Sequence, residues 1–125
     1  METREFSNKF SRYRKRLLSY ASGRVVEFGV GTGANLPYYR YDVEELVGID
    51  WSDKMIMKAF ENMDACKQKE KEQNLENPRN KVQLTTQAQS LKIIRGDCMN
   101  LKTFKDGEFD CVVSTFVLNS CFDRD

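Results

Sequence analysis

A chain of 125 residues has room for one domain, and its 40% hydrophobic and 31% charged content is that of a globular rather than a disordered protein. Twenty basic and nineteen acidic residues leave a formal net charge of +1, so no global field draws the chain toward nucleic acid or an acidic membrane. Cys66, Cys98, Cys111 and Cys121 form no C-x-x-C pair and histidine is absent, so metal sites and thioredoxin-like motifs lack their ligand spacing.

The thiols read as reduced packing groups. No apolar run nears the ~18 residues of a membrane span, and the N-terminus lacks the apolar core of a secretory signal. The expected setting is intracellular, with nothing to separate cytoplasm from mitochondrion and nothing to fix the oligomeric state.

In chain order, Phe6, Phe10, Tyr13, Leu17 and Tyr20 stand at alternating spacings of four and three, which predicts an amphipathic helix within residues 1–24. Arg4, Lys9, Arg12, Arg14, Lys15 and Arg16 occupy its other faces. A helix packed against the sheet with a solvated basic face is preferred over a mitochondrial presequence or a nucleic-acid patch, and Glu2 and Glu5 break the acid-poor presequence pattern. The remainder, 25–125, reads as one nucleotide-fold domain.

Val25-Val26-Glu27-Phe28 predicts a strand that runs into a turn at Gly29, Gly31 and Gly33, followed by a short helix from about Ala34 that is broken or restarted at Pro37. Leu46 to Asp50 predicts the second strand. Ser52 and Asp53 then supply the N-cap and first-turn acid of a helix whose apolar face is Met55, Ile56, Ala59, Phe60 and Met63. The polar stretch near 67–90, broken at Asn77-Pro78, reads as a helix tail and an exposed insertion. Leu91 to Arg95 and Phe109 to Thr115 predict the third and fourth strands, the last after a Lys105-Asp106-Gly107 turn.

Strands alternating with helices predict a parallel sheet joined by right-handed crossovers, with ligands at the carboxyl ends of the strands. The fold class expected is therefore α/β, a Rossmann-like parallel sheet of about four strands with flanking helices, the first strand lying between the second and the fourth. The residues just past each strand become the candidate site: Glu27 with Gly29, Gly31 and Gly33, then Asp50, then Asp97.

Residues 29–34 also satisfy the dinucleotide fingerprint, so glycine spacing leaves the cofactor open. The acids discriminate. A pyrophosphate on the glycine turn would be repelled by Glu27, whereas S-adenosylmethionine brings an ammonium and a sulfonium that suit Glu27, and a carboxylate that backbone N–H groups can hold. Asp50, seventeen residues after Gly33, stands where a ribose-binding carboxylate belongs, and Asp97 can accept from an adenine amino group.

Four segments in order, Val26-Glu27-Phe28-Gly29-Val30-Gly31-Thr32-Gly33, Gly48-Ile49-Asp50, Gly96-Asp97 and Phe109-Asp110-Cys111-Val112-Val113, resemble the successive motifs of class I S-adenosylmethionine-dependent methyltransferases. The wording of residues 31–39 is similar to the UbiE-like branch and to related mitochondrial methyltransferase-like proteins. The resemblance implies Glu27, Gly29, Gly31 and Gly33 around the methionine end, Asp50 on the ribose, Trp51 beside the adenine, and Asp97 with Cys98 at the adenine amino edge. It also implies a domain of about seven strands, so the chain is expected to end before the full sheet, leaving Ser114, Thr115, Phe116 and Asn119 as acceptor-side contacts.

The acceptor expected is a small or lipid-like molecule, and the Asp/Asn-Pro-Pro-Tyr pattern of nucleic-acid amine methylation is absent. The sequence names no metal and no catalytic base. Two rival readings stand beside this one. The chain could be a non-catalytic fragment or pseudo-enzyme that binds the cofactor or a protein partner, with a fourth strand that exposes backbone and apolar surface. A nicotinamide-binding dehydrogenase fragment is disfavoured by Glu27 and Asp97.

Overall fold

The computed structural model describes residues 4–97 and 107–114, with side chains from Ser11 onward. Helix α1 spans Arg4–Leu18, strand β1 Gly23–Phe28, a 3-10 turn Leu36–Tyr38, strand β2 Val43–Asp50, helix α2 Asp53–Glu76, strand β3 Leu91–Arg95 and strand β4 Cys111–Val113. The four strands form one sheet in the order β3-β2-β1-β4. All three pairings are parallel. This is the Rossmann-like arrangement that the alternation of strands and helices predicts.

The two central strands are apolar at Val25-Val26 and from Leu46 to Ile49, where parallel strands are buried on both faces. Val25 and Glu27 alternate with Val26 along β1, and the core divides accordingly. On one face Val25, Leu46, Val43 and Val113 pack with Leu18 at the end of α1, with Ala21 in the connection that follows it, and with Val30, Leu36 and Tyr39. On the other, Val26, Val47 and Ile49 pack with Phe28, Ile94 and Phe109.

The helices differ from expectation in which residues they bury. Tyr13 and Tyr20 are exposed, and the side chains that seat the end of α1 region are Leu18 and Ala21. Phe6 and Phe10 lie outside the described side chains. A tyrosine can sit at the water boundary with its hydroxyl solvated, so a stripe that counts it as apolar is rotated from the true one. In α2 only Ala59 is fully buried, with Ile56 and Met63 half-buried, while Met55 and Phe60 of the expected apolar face are exposed.

The α2 boundaries follow the local chemistry. Ser52 Oγ accepts from Met55 N at 3.3 Å at one end, and at the other the helix stops at Glu76, two residues before Pro78, whose ring disfavours helical backbone in the preceding residue. The expected short helix after the glycines is a single 3-10 turn with Pro37 in its first positions. Cys66 and Cys111 are free thiols; Cys98 and Cys121 lie outside the described residues.

Gly48 has a packing reason to lack a side chain. A Cβ there would stand 2.9 Å from Val30 Cγ2 and 3.0 Å from Val30 Cβ, and Val30 is the residue that folds the glycine turn back over β2. Gly48→Ala is therefore expected to lower stability by about 1–3 kcal/mol through overpacking, read as a lower urea midpoint at unchanged slope. An unchanged midpoint would mean that Val30 can move aside freely.

Candidate functional site

The chain proceeds outward from β1 to β2 to β3 and then returns to the other side of β1 for β4. The strand order thus reverses between β1 and β4, and in open parallel sheets ligands bind outside the carboxyl ends at such a point. Phe28 leads there into the glycine turn, and Val113 into Ser114.

The turn is held down by β2. Gly29 N and Val30 N both donate to Ile49 O, at 2.7 and 3.1 Å, and Gly31 N donates to Asp50 Oδ2 at 2.9 Å. Gly29, Gly31 and Gly33 have φ of 68°, 57° and 82°, the left-handed region that side-chain-bearing residues rarely adopt. From the helix side, Asn62 Nδ2 donates to Thr32 O at 3.1 Å. Among the described residues, the amides of Thr32 and Ala34 donate to no protein acceptor.

Asp50 is 8% exposed and uses both oxygens, since Oδ1 also accepts from Ser52 N at 3.0 Å. It ties the glycine turn to the start of α2. Each carboxylate oxygen retains a further lone-pair direction, so these bonds do not exhaust its capacity. Trp51, next in sequence, is 59% exposed and is no core aromatic. Asp97 follows β3, one strand farther from β1, and is exposed. Cys98 lies outside the described residues, as do Thr115, Phe116 and Asn119.

Glu27 is 1% exposed, on the face of β1 that carries the larger core. Its Oε1 accepts from the Tyr39 hydroxyl at 2.5 Å, and Asn35 and Arg14 also act on it. Burial pushes the carboxyl up to about 7, against the opposing pull of the Tyr39 and Asn35 hydrogen bonds and the Arg14 charge. Burial and then the Glu27 charge push the Tyr39 phenol well above its usual range.

Sequence reasoning brings together Glu27, the glycines and Asp50, and the fold does the same. It misses Tyr39, Asn35 and Arg14 as partners of Glu27 and Asn62 as a clamp on the turn. The run Asn35-Leu36-Pro37-Tyr38-Tyr39 held the available signal: polar and aromatic residues that a 3-10 turn folds back toward β1. Nothing in residue spacing marks Asn62.

The profile of a family described as a methyltransferase domain matches residues 26–125. A stretch of 42 residues is 48% identical to phosphatidylethanolamine N-methyltransferase of Cereibacter sphaeroides, and it covers 34% of this chain and 20% of that protein. In three dimensions the YcgJ protein of Bacillus subtilis aligns with a TM-score of 0.51 at 18% identity, over 88% of this chain and 38% of the other, a likeness of fold. Both matches span well under two thirds of the other protein's length.

Because the folded protein holds the Glu27 proton more tightly than the unfolded chain, this group's contribution to stability is complete below about pH 4.5 and is lost as pH rises through about 7. The loss amounts to on the order of 3 kcal/mol at ~1.4 kcal/mol per pH unit. Urea unfolding across that window should show the decline in the wild type and its removal in Glu27→Gln, which keeps an acceptor for Tyr39. Parallel pH profiles for the two proteins would show that Glu27 is ionised throughout.

Proposed function

The chain belongs to the methyltransferase-domain family, and on that premise we propose that it binds S-adenosylmethionine across the carboxyl ends of β1 and β2 and offers the methyl group to a small or lipid-like acceptor. The observation that carries the reading is the Asp50 clamp on the glycine turn, which shapes the crevice without filling it.

The donor set fits this ligand. The Thr32 and Ala34 amides suit its carboxylate, and Asp50, with lone pairs to spare, suits the ribose hydroxyls. Among the described residues a Cβ built on Gly31 would meet Met55 Cε at 3.7 Å and Gly29 O at 3.8 Å, ordinary contact distances that leave this face of the turn uncrowded. Glu27 is too deeply buried for a direct role in this reading; it supplies negative potential beneath the turn, where the ammonium would lie. Trp51 offers an exposed face to the adenine, and Asp97, exposed after β3, offers an acceptor to its amino group. Bound in this way, S-adenosylmethionine supplies a methyl carbon activated by the sulfonium.

The residues themselves contribute alignment, which is the main catalytic element of an in-line displacement. Ser114, at the end of β4, is the acceptor-side group that this chain provides beside β1. Its Oγ is buried and has no hydrogen-bond partner among the described residues. The local identity to a phosphatidylethanolamine N-methyltransferase and the UbiE-like wording of residues 31–39 both support a lipid-like acceptor.

Calorimetric titration should show binding of S-adenosylhomocysteine and none of NAD; the reverse result would remove the proposal. Asp50→Ala should weaken S-adenosylhomocysteine about ten- to a hundredfold by loss of a charge-assisted contact. It should also lower the melting temperature, since the Gly31 and Ser52 amides lose their acceptor. An unchanged dissociation constant in a folded Asp50→Ala protein would confine Asp50 to capping.

The ammonium, on arrival, favours ionised Glu27, so affinity should rise with pH through about 7 and binding should release protons. Binding heats that do not vary with buffer ionisation enthalpy would contradict this electrostatic role.

A further inference from the structure

A cleft of about 610 Å³ opens between α1 and the segment around the 3-10 turn. Arg12, Lys15 and Arg16 line it from the helix and Arg40 from the other wall, and no aspartate or glutamate lines it among the described residues. The ion pairs among the described residues use Arg24, Lys58, Lys92 and Arg95, and none of these four.

Arg12 and Arg16 are one helical turn apart and Lys15 lies between them, an arrangement of like charges that weakens a helix unless an anion answers it. The chain as a whole is close to neutral, at +1, so this concentration is local. A concave wall sharpens the potential of such charges, and its volume lies within the roughly 300–1,000 Å³ of small-molecule sites. Three of the four cations are arginines, whose planar forks match phosphate oxygens two at a time. Tyr38, also in the lining, adds a hydroxyl donor.

We infer that this cleft is a binding site for a phosphate-bearing small molecule or headgroup, held between the α1 cations and Arg40. The inference is separate from the methyl-donor reading, because of the groups around Glu27 only Tyr39 also lines the cleft.

The test is titration of the full chain with inorganic pyrophosphate at low ionic strength, followed by added salt. Saturable binding that weakens with salt is expected. Arg16→Gln with Arg40→Gln, which removes one cation from each wall, should weaken it about tenfold or more. Lys58→Gln with Lys92→Gln removes the same charge elsewhere and should leave affinity unchanged. Should the first pair fail to fold, Arg16→Lys with Arg40→Lys keeps the charge, removes the forks and should still weaken binding. Failure to bind pyrophosphate at low salt, or equal losses in the cleft and control variants, would overturn the inference. Competition identifies the source: vesicles containing phosphatidic acid displace pyrophosphate if the site takes a lipid headgroup, and only glycerol phosphate does so if it takes a free ester. Displacement by neither would also overturn it.

Discussion

The backbone between Phe28 and Gly33 must double back over the end of β2, and most of the site depends on how it does so. Three amides are committed to this, two on Ile49 O and one on Asp50, and the left-handed glycines make the path sterically possible. The same commitment decides which amides remain for a ligand. Had Gly31 N pointed outward, Asp50 would have been a buried carboxylate with one partner fewer, at the energetic penalty that incomplete pairing carries. Closing the turn and satisfying Asp50 are therefore one event.

Glu27 presents the complementary case. A carboxyl buried in an apolar face tends to be excluded or neutralised, yet here a tyrosine and an asparagine from the segment after the turn fold back onto it. The result is a segment pinned at two points, by Asp50 before the 3-10 turn and by Glu27 after it. Both acids that resemble cofactor ligands thus also hold the chain in shape. A loss of binding in variants at either position has to be read together with their stability.

The strands and their parallel order were legible because β-branched runs alternate with helical patterns at the spacing of a wound sheet, and β3 coincides with its expected limits, Leu91–Arg95. The glycine turn and Asp50 were legible because φ > 0 and strand-end acids restrict residue type. Burial on the helices was less so. Tyr13, Met55 and Phe60 are apolar by composition but exposed in fact, and periodicity alone cannot locate the sheet a helix faces. β2 also begins at Val43, three residues before the expected start, since its early residues pair with Gly23 and Arg24 and mix charged with apolar side chains. The Tyr39 to Glu27 contact depends on a chain reversal at Pro37 whose direction no local pattern specifies.

Trp51 is the chain's one tryptophan, and it stands in water immediately after the clamp residue Asp50. Indole emission is sensitive to the polarity and stacking of its surroundings, so the intrinsic tryptophan fluorescence of this protein arises at an exposed position beside Asp50 and not in its core. The five tyrosines do not obscure it when excitation is confined to the red edge of the indole band. The molecule carries its own optical reporter next to the residue that clamps the glycine turn, and no label need be attached to watch that clamp open or close.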